Sequence, residues 1–449
     1  MSQNPMAPSS GTAPEHIPPE LKSGPLGRLR DMKILRPLKI KDFALLWAGM
    51  SISLFGDGIY FVAIAWQVYE IENTPAALSI VGLASTLPLV LFVLVGGVVS
   101  DRFDRRKVLI ASDVVRGVAI AGIGVLSLID AIQLWHVIAL VAVYGAGDAL
   151  FGPAFGSIVP DVVPQHLLVE ANSIDQFMRP FAFRLLGPAL GGLIIAAVGV
   201  GWAFVIDAFT FVASAVAVGM MTPKPLIERA KTTVRGALSD VAEGFRFVRA
   251  HTWLWGTLAA AAFSLLVYMG PMQVLVPFIV KNKLSGGAAD IGWVYAAGGV
   301  GSVLTAFAIG QAGLPRRHIT FMYVGWALAV GGPFGFALCT EIWQALLVSF
   351  AQWSGVTMGL VVWMTLLHRL VPGELLGRVT SFDWQMSVAL VPVSFALTGW
   401  VSDQIGVDAT LLWGGGLGVI ITLAFLFLPG MRDTERDATF ELQPALQEG

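Results

Sequence analysis

The sequence predicts an all-α polytopic membrane protein, with twelve transmembrane helices in two pseudo-symmetric six-helix bundles, and three observations predict it. Hydrophobic residues make up 56% of the 449-residue chain and charged residues 13%, against roughly 25% charged in an ordinary soluble domain. Apolar runs of the ~20 residues needed to cross ~30 Å of hydrocarbon recur twelve times along the chain. One long polar stretch, residues 222–252, splits those runs six and six.

Residues 1–41 are rich in Pro, Ser and Gly and then basic, with Lys22, Arg28, Arg30, Lys33, Arg36 and Lys39. They lack the short apolar core and cleavage site of a signal peptide, and predict a disordered cytoplasmic tail ending in a basic patch at the membrane. The first bundle, residues 42–221, has spans near 42–69, 76–99, 108–129, 134–157, 174–198 and 202–221. The linker 222–252 carries Leu238, Val241, Phe245 and Val248 at helical spacing, which predicts an amphipathic helix on the membrane surface. The second bundle, residues 253–428, has spans near 253–280, 290–312, 319–339, 342–367, 378–401 and 408–428, and a cytoplasmic tail follows at 429–449. All twelve spans must be helical, because lipid offers no partner for an unpaired backbone group.

Of the 28 lysines and arginines, all but five fall on segments that share one side of the membrane if both termini do. Lys281 and Lys283 lie on the other side, and Arg116, Arg179 and Arg184 lie within spans. The positive-inside rule then puts both termini in the cytoplasm and the protein in the cell (inner) membrane.

Between spans 2 and 3 a charged hairpin, GGVVSDRFDRRK from Gly96 to Lys107, packs four cations into a short connection. Asp101 and Arg105 stand four apart, a spacing that lets them pair on one face of a helical turn. Gly97-x-x-x-Asp101-Arg102-x-x-Arg105-Arg106 resembles the loop signature between helices 2 and 3 of the major facilitator superfamily, with Asp104 where glycine is usual. Gly310, Arg316 and Arg317 form a faint second copy after span 8, without the aspartate. Gly187-Pro188-Ala189-Leu190-Gly191-Gly192 in span 5 resembles the superfamily's exporter-associated Gly-Pro-x-x-Gly-Gly segment. Proline there removes a backbone hydrogen bond and the glycines admit a close neighbour, predicting a kinked, tightly packed helix. Leu54 to Asp57, Pro153 to Gln176 and Leu370 to Trp384 look like parts of the macrolide-efflux and enterobactin-exporter branch, the last two as inner loops.

This resemblance implies the major facilitator fold, helices 1, 4, 7 and 10 around a central cavity, and a gating loop that holds the inner ends of the halves together. It also implies drug/proton antiport, although span 4 offers Asp148 where many antiporters of this kind carry an arginine. Ionisable residues inside spans are costly and point to function. Asp57 lies about 15 residues into span 1, roughly 22 Å deep, where a carboxylate can take a proton or a cationic substrate alternately; the flanking glycines equally suit a helix break that Asp57 caps. Asp148 is the second candidate. Arg184, near mid-membrane, needs a partner, with Asp57 the first expected and Asp207 its rival. Asp113 and Arg116 stand at local pairing distance, and Arg179 is placed to snorkel towards the surface. In the second half, spans 7 to 9 hold no charge in their interiors, and aromatics and Met are plentiful, among them Tyr268, Met269, Met272 and, in span 10, Trp353; such surfaces suit large apolar substrates.

Other classes find little support. A net charge of −2 carries no sign of nucleic-acid binding, and the lone Cys339 excludes an intramolecular disulfide and a Cys-based metal site. The six histidines show no metal-ligand spacing, and a phosphate-binding Gly-x-x-x-x-Gly-Lys-Ser/Thr loop is missing. An enzyme, a cofactor and a metal are therefore not expected. The expected partners are a small-molecule substrate, protons and membrane lipids, with a functional monomer. The reading is a secondary active exporter of lipophilic or amphiphilic compounds, of the multidrug type and driven by proton entry. A dedicated siderophore or metabolite exporter is the alternative within transport, and a scramblase or receptor on the same scaffold the alternative of another class.

Overall fold

The structure is a computed structural model that describes residues 33–222 and 243–435. Its twelve long apolar helices are α1 (Lys41–Ile71), α2 (Pro75–Arg102), α3 (Arg105–Leu128), α4 (Leu134–Val162), α5 (Gln165–Val198), α6 (Val200–Gly219), α7 (Thr252–Asn282), α8 (Ala288–Ala312), α9 (His318–Leu338), α10 (Ile342–Leu370), α11 (Leu375–Ile405) and α12 (Val407–Leu426). Strands are absent among the described residues. The two tails and most of the linker helix fall outside these residues; within them 243–250 is helical, with Val248 buried and Phe245 exposed.

Local chemistry sets the ends. Thr74 caps α2 by accepting from the Ala77 amide at 3.3 Å, with Pro75 at the first helical position. Asp104 caps α3 by accepting from the Arg106 amide at 3.0 Å, so the departure from glycine in the hairpin starts a helix. The stretches 153–176 and 370–384, expected as loops, are mostly helix: Val163-Pro164 alone separates α4 from the opening turns of α5, and Val371-Pro372 closes α10 in the same way. α5 accordingly starts nine residues before its apolar run, because 165–179 is an amphipathic extension that no hydropathy window collects.

The halves repeat each other. α4 and α10 both have 29 residues and α6 and α12 both have 20. Gly199 and Gly406 make the same turns before α6 and α12 at φ 94° and 85°, a region glycine enters without penalty. In the first half α2 packs on α4, α3 on α4 and α6, and α1 on α5 and α6. In the second α8 packs on α10, α9 on α10 and α12, and α7 on α11 and α12.

Across the halves, α5 meets α8 and α2 meets α11, with contacts gathered at the end away from the termini. A Cβ on Gly292 would lie 2.4 Å from the Pro188 carbonyl, and one on Gly399 2.9 Å from Ser79. The same end carries the described hydrogen bonds between halves: Tyr69 Oη to the Val274 carbonyl at 2.6 Å, Lys281 Nζ to the Tyr69 carbonyl at 2.8 Å, and an amide pair of Asn73 and Asn282 at 2.6 Å. Lys281 and Lys283 are thus spent on local bonds, the latter on Asp408 at 2.9 Å. Exposed Trp135, Trp202, Trp343 and Trp400 ring this end as an interfacial belt.

Candidate functional site

α1 runs unbroken through Gly56-Asp57-Gly58, so Asp57 caps no helix break. The flanking glycines serve packing instead. A Cβ on Gly58 would stand 2.8 Å from the Gly187 Cα, and one on Gly56 2.3 Å from Asp207 Oδ1. α1 is thereby squeezed between α5 and α6, which fixes the direction in which Asp57 leaves it.

That direction is towards α4. Tyr144 Oη donates to Asp57 Oδ1 at 2.9 Å, and the Tyr144 ring stacks on Tyr60 with centroids 5.0 Å apart. One turn on, Asp148 accepts from Arg116 of α3 at 3.4 Å, while Arg116 also binds Asp113 at 2.6 Å. The guanidinium lies between the rings of Phe151 and Phe211, at 4.4 and 4.6 Å. Gly147 makes room for it, since a Cβ there would be 3.0 Å from Arg116 Cγ. The arginine that span 4 lacks is therefore supplied from α3 beside Asp148. The Asp148 side chain is 38% exposed and lines a cleft of about 220 Å³ with Leu89, Val93, Phe155, Arg179 and Trp384, which brings both halves to one opening.

Asp207 is fully buried, with Thr210 Oγ1 at 3.2 Å from one oxygen and the other oxygen unpartnered. Neither it nor Asp57 meets Arg184. Arg184 sits in a π-helical stretch, Pro180–Leu186, and its guanidinium faces away from both, 3.6 Å from the centroid of the Trp353 ring of α10. The expected pairing fails because the extra residue per turn of that stretch rotates Arg184 out of the first half and into the gap between halves.

The Gly-Pro segment is packed as expected and serves two neighbours. Gly187 and Gly191 abut α1 at Gly58 and Ile59, Gly192 abuts Ala288 and Gly292 of α8, and Pro188 is buried. In the hairpin, Arg105 pairs with Asp161 of α4, together with the Ser157 carbonyl at 3.0 Å. The side chain of Asp101, the expected partner, lies outside the described residues. Arg106 donates to the carbonyls of Val218 and Gly219 at the end of α6, and Arg102 is exposed. These bonds tie α3 to α4 and α6 within the first half. Gly97 faces open space. Arg179 pairs with Asp175 at 2.9 Å.

Tyr144, Tyr60, Asp161 and Trp353 were not singled out as partners from the sequence. Tyr144 stands one helical turn before Asp148, a signal that both face one side of span 4. Among the described residues no group of His, Cys, Asp and Glu is arranged to hold a metal.

A family model described as transmembrane secretion effector, of the major facilitator kind, matches residues 33–446. The multidrug efflux pump Tap of Mycolicibacterium fortuitum is 28% identical over 428 residues, covering 89% of this chain and 97% of its own. Macrolide efflux protein A of Streptococcus pyogenes is 24% identical over 392 residues, covering 85% and 94%. An MFS-type transporter of Bacillus subtilis is 27% identical over 415 residues, covering 88% and 95%. Among solved structures, a bacterial homologue of the iron transporter ferroportin in its inward-facing state superposes with a TM-score of 0.66 at 16% identity, covering 86% and 98%, a likeness of fold.

Proposed function

The chain belongs to the transmembrane secretion effector family of the major facilitator superfamily, and from that premise we propose that it is a secondary active exporter of lipophilic or amphiphilic compounds, driven by proton entry. The observation that carries the reading is Asp57: a carboxylate deep in α1 whose bonded partner is the neutral Tyr144 phenol rather than a cation. Asp148 supplies a second carboxylate at the cleft, and Arg116 holds it within reach of Asp57's helix pair.

The bonds between the halves gather at the end away from the termini, and the cleft at Asp148 lies between the halves on the other side of that seam. With both termini cytoplasmic, as the cation bias favours, this is an inward-open state. Substrate enters from the cytoplasm or inner leaflet, and a rocking motion of the halves exposes it outward. A proton taken up by Asp57 from outside displaces it, and loss of that proton inside restores the binding form. The names of the relatives, a macrolide and two multidrug efflux proteins among them, favour export of this substrate class.

The test is a proteoliposome assay that follows internal pH while a macrolide or a cationic dye is added. Export by proton exchange predicts substrate-dependent dissipation of an imposed pH gradient. Substrate movement with no matching proton flux would remove the coupling, and no movement of any tested compound would remove the exporter reading.

A further inference from the structure

The geometry points to an oxyanion-binding site at Arg184, so that the substrates best held are aromatic amphiphiles carrying a carboxylate or similar acid group. The inference rests on the exporter reading and names the substrate class of its cavity. Arg184 is partly buried midway along α5, level with Gly299 in the middle of α8. Among the described residues its guanidinium forms no ion pair and no side-chain hydrogen bond, and its nitrogens are not among the sealed polar atoms of the interior. The titratable group facing it is the Tyr268 phenol. A cation left uncompensated at this depth is expensive unless a ligand completes it.

Its neighbours are shaped for such a ligand. Trp353 covers one face of the guanidinium, which leaves the in-plane N–H fork free, the edge that matches a carboxylate in two parallel bonds. Tyr295 of α8 is 6% exposed, and its hydroxyl has no partner. Tyr268 accepts from Gln352 at 2.5 Å, which leaves its own proton to donate. Phe61 lies 4.9 Å from the Tyr295 ring and 6.1 Å from Phe183, adding an aromatic wall. The Arg184 fork and the Tyr268 hydroxyl therefore offer donors beside apolar rings, while the Tyr295 hydroxyl is sealed in the packing next to them. Mid-depth placement favours a soluble amphiphile over a lipid, whose headgroup stays at the interface.

The experiment measures binding of a carboxylate-bearing rhodamine and of its methyl ester to the purified full chain in detergent, by dye anisotropy. A charge-assisted bond made by the acid and lost on esterification predicts about tenfold tighter binding of the acid than of the ester. Arg184→Gln should bring the ratio to about one while ester binding is kept, and Arg184→Lys should restore part of it. Tyr268→Phe, which keeps the aromatic wall, should weaken the acid alone by about threefold. Equal affinities in the unchanged protein, retention of the ratio in Arg184→Gln, or failure to bind either dye would overturn the site. Displacement of the acid dye by phosphatidylglycerol but not phosphatidylcholine would keep the oxyanion site and assign it to a lipid headgroup. Intact binding without proton-linked transport would count against the exchange mechanism alone.

Discussion

Tyr144 Oη lies 2.9 Å from Asp57 Oδ1 and joins α4 to α1 at the depth where neither helix has another charged partner bonded to Asp57. The bond gives the carboxylate a fixed direction without neutralising it. Asp57→Asn keeps the shape and an acceptor for the Tyr144 proton. Substrate-driven proton flux in proteoliposomes should fall to the level of empty vesicles, while the unfolding temperature in detergent stays near that of the unchanged protein. Undiminished flux would take the coupling role away from Asp57.

Arg116 is 2% exposed, Asp113 is fully buried, and the cation is shared with Asp148. Arg116→Ala removes the charge that both carboxylates face, a loss of about 3–5 kcal/mol for a buried pair broken on one side. The expected outcome is a steep fall in thermal stability in detergent, with Asp148→Asn much milder because its side chain already meets solvent.

Two glycines in the same bundle should behave in opposite ways. A Cβ on Gly58 meets the backbone of Gly187 at 2.8 Å, whereas one on Gly97 meets nothing within 4 Å. Gly58→Val should cost more than about 3 kcal/mol through overpacking, and Gly97→Val should stay within about 0.5 kcal/mol. If α2 closes against the second half during transport, Gly97→Val will nevertheless slow efflux, which vesicle uptake rates measure against the unchanged melting curve.

Asn73 and Asn282 meet amide to amide across the halves. Bridging cysteines placed at both positions with a short, reducible bis-methanethiosulfonate should arrest transport, and reduction should restore it. The native Cys339 will not interfere. It is 2% exposed and burial pushes its thiol up from its ordinary value, so the thiolate that reacts is scarce at neutral pH.

Twelve helices were legible because lipid imposes length and composition on each, and because cations avoid one side. The partners of the buried charges were not. Several spans, such as α2 and α8, are apolar on nearly every face, so their pattern gives no phase from which to tell which neighbour a given residue meets. Asp113 and Arg116 were readable because they stand one turn apart on a single helix. Arg116 to Asp148, Tyr144 to Asp57 and Arg105 to Asp161 each join two helices and depend on rotation. The partner expected for Arg184 was missed for a sharper reason: the π-helical stretch around it shifts the helical phase, and the sequence signals this only through Pro180 and Pro188.

The bonds that close the far end are a phenol to a carbonyl, an ammonium to a carbonyl and a pair of amides. At about 1 kcal/mol net for a neutral bond and somewhat more for the charged one, the three together add only a few kcal/mol to the packing of α5 on α8 and of α2 on α11. A single well-fitted cargo molecule or one captured proton carries a comparable free energy. Because none of the three is an ion pair, ionic strength should leave the balance between the two faces nearly untouched. What links the halves at the far end is thus dipolar rather than ionic, a latch that the salt content of the surroundings should leave in place.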